Sequence, residues 1–269
     1  MSADEPSPYV PKWLTRGRTW HTVSVLTILV LLAPLAMWGW SRLHPTTRTD
    51  EVLLRHPVTA LRIDGLGGSV LVRSGPADKV SLRTTRSWTG RAPHVEHFWE
   101  GDTLHLRVTK PAQGLLEGLA PAVVVELRVP ADVRITARLT SGLADLQDLS
   151  GPMDLTSETA TLTVRNSRGP LRAVTGKGAI RASSLTSPTV SISVGGGSAS
   201  VQFSQAPQSI SAVLGRGAMK LTVPSGSRYR TTVDAPNADV RIAPGLVNPS
   251  AAASLDVRAG SGAGAMFGY

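Results

Sequence analysis

The chain has no cysteine. That excludes disulfides and thiolate-ligated metals, and it excludes a bacterial lipoprotein, whose anchor is an acylated cysteine. Histidine is missing from most of the chain. All six lie at positions 21, 44, 56, 94, 97 and 105, so nothing beyond residue 105 can supply the imidazole of a Ser–His–Asp or Cys–His set. Aromatic residues make up only 4%, which suits a narrow core of small aliphatic side chains better than a thick globular one. No G-x-x-x-x-G-K-[ST] motif occurs, and the Gly-rich segments are not followed by helical patterns, which argues against a nucleotide site. No cofactor is expected.

One further absence is local. From Thr19 to Ser41 there is no Lys, Arg, Asp or Glu. About 20 such residues span a bilayer as a helix, so residues 19–41 are expected to contact the lipid directly. Trp20, Trp38 and Trp40 stand at the two ends, where aromatic belts form. Lys12, Arg16 and Arg18 precede the segment, which places the N-terminus in the cytoplasm and the bulk of the chain outside it by the positive-inside rule. A cleaved signal peptide is the alternative. The run ends in Trp-Gly-Trp without a small-x-small site, which favours an uncleaved anchor. Residues 1–18 then read as a short cytoplasmic disordered tail, 42–57 as a polar stalk, 58–257 as an extracytoplasmic domain, and 258–269 as a Gly/Ala-rich tail or cap.

What is present in abundance is a repeat. Thr140-Ser-Gly-Leu-Ala, Thr156-Ser-Glu-Thr-Ala, Thr175-Gly-Lys-Gly-Ala, Val194-Gly-Gly-Gly-Ser and Leu214-Gly-Arg-Gly-Ala start 16, 19, 19 and 20 residues apart, and Asp234-Ala-Pro-Asn-Ala follows after 20 more. Each is a small or Gly-rich corner followed by period-two alternation, the mark of a strand with one buried face. Repeats of this length cannot bury that face alone and must stack. The expected columns are Val164, Ala182, Val201, Leu221 and Val240 in one set, and Val174, Val194, Leu214 and Val233 in another. The fold class is therefore all-β: a β-solenoid or β-helix-like stack of short strands, with an N-terminal antiparallel hairpin region, preceded by one transmembrane helix. An antiparallel sandwich is the alternative.

Ahead of the repeats, Leu61–Ile63, Val70–Val72 and Val80–Leu82 read as strands separated by turn clusters. His94 to Val108 reads as a hairpin turning at Gly101-Asp102, with Gly first as a type II′ turn prefers. That register sets Glu96 opposite Arg107, Phe98 opposite His105 and Glu100 opposite Thr103. His94, Glu96, His97 and His105 are the only cluster resembling a metal site, but His94 and Glu96 point away from His97, so a metal is not expected. Lys110 to Pro121 reads as an apolar loop over the open end of the sheet.

The Gly101-Asp102-Thr-Leu-His-Leu hairpin, Val123-Val-Val-Glu-Leu-Arg-Val-Pro-Ala-Asp, the Thr-Ser-Gly corners and Val223-Pro-Ser-Gly-Ser-Arg-Tyr, together with the membrane segment, resemble a bacterial family. It is the β-strand-repeat, adhesin-like envelope proteins of unknown function, and the resemblance covers roughly residues 58 to 257. It implies a repeat fold and an envelope role, and it brings no catalytic residues to this chain.

The net charge is +9. Arg165, Arg168, Arg172, Lys177, Arg181, Arg216, Lys220, Arg228 and Arg230 fall on successive repeats and, projecting from one face, would form a basic stripe. Outside the cell such a stripe meets anionic wall polymer, lipid headgroups or an envelope protein. Nucleic acid is not expected there, and no aromatic stacking platform accompanies the stripe. Ordinary solubility is the plainer account of the same charges. The expected role is binding or scaffolding at the envelope, without catalysis. Two alternatives stay open: an envelope sensor signalling through a membrane partner, and a surface glycan-active enzyme using Asp145, Asp148 and Asp154, with Glu158 nearby.

Overall fold

The computed structural model describes residues 46–54, 56–65, 67–77, 79–88, 92–109 and 122–269. The expected tail at 1–18, the expected membrane helix at 19–41 and the loop at 110–121 lie outside them. Among the described residues no helix is long and apolar enough to cross a membrane.

The described chain is all-β. It opens with β1 (Thr46–Leu54), which pairs antiparallel with β4 (Val80–Trp88). The strand domain thus starts near Thr46 and not at Val58, and most of the expected stalk is sheet. Threonine-rich alternation and the partner strand's Thr85 and Ser87 explain why a polar segment pairs here: Thr47 and Thr49 lie within hydrogen-bonding distance of them across the ladder. Between these two strands come β2 (Ala60–Asp64) and β3 (Gly67–Ser74). Then follow the hairpin strands β5 (His94–Glu100) and β6 (Thr103–Thr109), and β7 (Ala122–Val129). The hairpin register is the expected one, with Glu96 opposite Arg107 and Phe98 opposite His105. Gly101 at its turn has φ of 59°.

The repeats form β8 (Arg134–Gln147), β9 (Met153–Arg165), β10 (Leu171–Leu185), β11 (Thr189–Phe203) and β12 (Ser209–Thr222). Each pairs in parallel with the next. These strands are long because each turns a corner midway. In β10 the buried positions are Leu171, Ala173 and Thr175, then Ile180 and Ala182. The five-residue step flips the parity, so a straight strand would turn half its apolar residues to solvent. The corner restores them to one interior and divides each strand into a first and a second limb. Gly197 and Gly217 stand at two of these corners with φ of 135° and 109°. A Cβ on either would overlap the carbonyl oxygen of the glycine one rung away. Both conformation and close approach therefore require glycine.

The register corrects the expected columns. Leu139, Ser157, Thr175, Val194 and Leu214 are level with one another, so the rungs are offset by 18, 18, 19 and 20 residues. Val174 belongs one position off that column. The two Thr-Ser dipeptides at 140 and 156 are not equivalent, because Ser141 faces Thr159. In the interior, Ile63, Ala137, Leu155, Ala173, Ile192, Ala212 and Val257 form one ladder. All are at most 2% exposed. Large and small side chains alternate along much of it, which lets neighbouring rungs interdigitate at native density. The buried Ser157 hydroxyl donates to Thr175 Oγ1 at 2.9 Å, so this polar pair inside the stack is satisfied.

Both ends of the stack depart from chain order. At one end β2 and β3 pair with the two limbs of β8, and β6 and β7 pair outside them. At the other end β13 (Arg230–Asp234) and β14 (Asp239–Ile242) follow β12 in sequence but do not touch it. A 3-10 turn at Pro244–Leu246 leads to β15 (Ser254–Ala259) and β16 (Ala263–Gly268), which insert between. The C-terminal residues 258–269 are thus mostly an inner rung, and the sixth repeat at Asp234 forms the outer one. The physical reason lies in the side chains. Leu255, Val257, Ala259, Ala263, Ala265 and Phe267 are all buried, whereas Val233 is 46% exposed. The apolar segment takes the two-sided position and the polar one takes the edge. Insertion also shifts the column: Leu221 is level with Phe267 and Ile242, and Val240 lies two positions away.

Candidate functional site

Outward residues of the second limbs form two parallel rows. One runs Ala179, Ser198, Ala218, Gly264 and Asp239, and the other Arg181, Ser200, Lys220, Met266 and Arg241. The alternation that buries Ile180, Ala199, Met219 and Ala265 is what turns these rows to solvent. Small side chains fill most of the first row, so the surface is hollowed into a groove of about 330 Å³. The cations stand on every second rung. Rungs are about 4.8 Å apart, so Arg181, Lys220 and Arg241 repeat at about 10 Å. Arg241 is bridged by Asp239, its Nη2 lying 3.0 Å from a carboxylate oxygen. Arg181 and Lys220 have no ion-pair partner among the described residues.

The nine expected basic residues do not make one stripe, and this corrects the sequence reading. Arg181 and Lys220 share the groove. Lys177 and Arg216 share the corner, two rungs apart with Gly196 between. Arg172 lies on a first limb, 3.6 Å from Asp154. Arg165 ends a second limb and is held by Asp145 at 2.6 Å. Arg168 lies in the turn beyond, beside Asp148 and Asn166. Arg228 precedes β13 and Arg230 begins it. Arg241, Asp239 and Met266 were not anticipated. Arg241 had a signal in the Asp239-Val-Arg-Ile alternation, but only the insertion of β16 sets it on the row of Arg181.

No protein-family model matches the sequence, and no curated protein matches it. Among solved structures, a candidate cell adhesion protein from Clostridium sporogenes is 9% identical, with a TM-score of 0.37 over 84% of this chain and 100% of its own. A candidate adhesin from Parabacteroides merdae is 11% identical, with a TM-score of 0.30 over 82% of this chain and 96% of its own. One from Bacteroides fragilis is 9% identical, with a TM-score of 0.27 over 82% and 97%. Values this low assign no family and carry no function to this chain.

The carboxylates named for catalysis have separate partners. Asp145 sits on the second limb of β8 and binds Arg165. Asp154 sits on the first limb of β9, level with Thr136 and near Arg172. Asp148 occupies a turn with φ of 60°, and Asn166, one rung on, has φ of 49°. Its carboxylate accepts a hydrogen bond from Asn166 Nδ2 at 2.5 Å. Asn and Asp tolerate that conformation better than other residues with a side chain, which is a turn-forming role. In the hairpin, His94 bonds Glu96 at 2.9 Å, and His105 lies 3.1 Å from Glu100 with Phe98 stacked on its ring at 4.8 Å. Among the described residues no three His, Asp or Glu side chains converge as metal ligands.

Proposed function

We propose that this chain is an adhesin-like binding or scaffolding protein of the cell envelope. Residues 19–41 anchor it as a single pass with the N-terminus in the cytoplasm, and the parallel stack is a β-solenoid displayed on the other side. It acts by contact and not by catalysis. The observation that carries this reading is the groove along the second limbs, with three regularly spaced cations on a surface of small side chains. A rigid stack holds such groups at fixed intervals, which suits recognition of an extended anionic ligand. The uncharged run flanked by tryptophans supports the anchor.

Two measurements test it. A C-terminal alkaline phosphatase fusion to the full chain is expected to be active, and the same fusion to a cytoplasm-only fluorescent reporter dark; the reverse pattern sinks the topology. The full chain in detergent should co-sediment with purified envelope fragments at low ionic strength and dissociate as salt rises, because exposed charge contacts are screened within about 10 Å at 0.1 M. Failure to sediment at low salt overturns the binding role.

A further inference from the structure

The groove's dimensions restrict what it can hold. It crosses five rungs, from β10 through β11, β12 and β16 to β14, which is about 19 Å at the sheet spacing. Its two rows are two residues apart along each strand, so it is about 7 Å wide. That is room for one extended, unbranched chain. It is too narrow for a folded polypeptide face. A bilayer surface would meet the protruding rims before the floor, and the apolar protrusions that anchor a protein in an interface are reduced here to Met266, which is 50% exposed.

The lining restricts the chemistry as well. No aromatic ring, Asn or Gln lines the groove, so nothing offers a sugar ring a stacking face or an amide to read its hydroxyls. The groove offers cations at about 10 Å intervals, with Ser198 and Ser200 hydroxyls on the rung between Arg181 and Lys220. The floor between them is methyl and backbone, from Ala218, Gly264 and the Met266 thioether. That pattern matches a polymer whose anionic groups alternate with short carbon segments. The guanidinium fork binds a phosphate through two parallel hydrogen bonds, and a lysine meets it as a point charge.

Resting on the envelope-binding role proposed above, we infer that this groove seats one strand of a linear phosphodiester polymer, laid along the stack. Its phosphates lie against Arg181, Lys220 and Arg241, and its carbon segments cross Ala218, Gly264 and Met266. Asp239 holds the Arg241 guanidinium and sets the end of the track. Several weak contacts on one polymer sum by effective concentration, so length matters more than any single phosphate.

The test titrates a fluorescent poly(glycerol phosphate) oligomer into the full chain in detergent, beside glycerol phosphate monomer and an oligogalacturonate of equal charge. Wild type is expected to prefer the oligophosphate to both. The double variant Arg181→Ser/Lys220→Ser should weaken oligophosphate binding by about tenfold or more. Lys177→Ser/Arg216→Ser removes the same charge from the corner and should cost less than about twofold. Ala218→Leu fills the floor without changing charge and should also weaken binding, and thermal melts confirm that all three variants fold. Equal losses in the two doubles would reduce the effect to net charge and overturn the groove. Preference for oligogalacturonate overturns the phosphate assignment, and equal binding of monomer and oligomer overturns the track. Envelope sedimentation that survives Arg181→Ser/Lys220→Ser would remove this ligand while leaving the broader role in place.

Discussion

The middle of the stack and its two ends obey different rules. From β8 to β12 each rung is followed in space by the next rung in sequence, at offsets of 18 to 20 residues. At the ends the order is interleaved: β2 and β3 lie inside β6 and β7, and β15 and β16 lie inside β13 and β14. The middle is built from local steps, so repetition alone specifies it. An end rung has neighbours on one side only, and burial decides which segment may occupy the inner place. The C-terminal segment wins that place because its inward residues are apolar throughout.

The largest expected effect follows from removing that segment. Deleting residues 251–269 uncovers the inward neighbours of β12 and leaves β13 and β14 without a partner. An open parallel edge with apolar flanks pairs with other chains, so the truncated protein should sediment as aggregate and show no cooperative melt. If it melts like wild type, the inner-rung assignment is wrong. Gly197→Val tests the corners of the middle. It combines a positive φ with overlap onto the Gly178 carbonyl, and should cost at least about 3 kcal/mol in denaturant unfolding. Gly196→Ala, one residue away with open space around it, should cost under about 1 kcal/mol. The contrast between two glycines of one triplet is the informative number.

A smaller pair sharpens the two C-terminal rungs. Leu255→Ala removes a side chain only 1% exposed and should destabilise by about 2 to 4 kcal/mol. Val233→Ala on the outer rung should change stability by less than about 0.5 kcal/mol. Similar values for both would mean that the two rungs are equally buried. The smallest effect belongs to the N-terminal edge. The hydrogen bond from Arg86 holds the Asp50 carboxyl below its ordinary value, against an opposing push from burial, with Arg48 assisting. A depressed folded-state pKa contributes stability above the unfolded value, and that contribution is lost as pH falls through the folded one. Asp50→Asn should therefore melt slightly earlier than wild type at pH 7 and coincide with it at strongly acid pH.

Much of this architecture was legible in the residues. The hairpin was readable pair by pair, because Gly101-Asp102 sets the turn and the turn sets the register. The corners were readable because glycine recurs where backbones approach. The columns were readable only in part. Thr140-Ser and Thr156-Ser look equivalent, yet the parity switch at the corner makes Ser157 the partner of Leu139. The stalk was misread because β1 carries little apolar patterning, and its pairing with β4 rests on backbone bonds and threonine contacts across the ladder. Of the candidate site, Arg181 and Lys220 were visible as outward cations. Their neighbour Arg241 was not, since it reaches the row only through β16.

The sequence by itself determined the period, the corner glycines and the all-β class, because alternation and backbone freedom are local properties. It also determined what the chain cannot use, having no cysteine anywhere and no histidine past position 105. Tertiary structure alone decided which segment fills the inner rung at each end, and therefore which cations share the groove. Those choices depend on burial between segments distant in the chain, and pattern within one segment does not contain them.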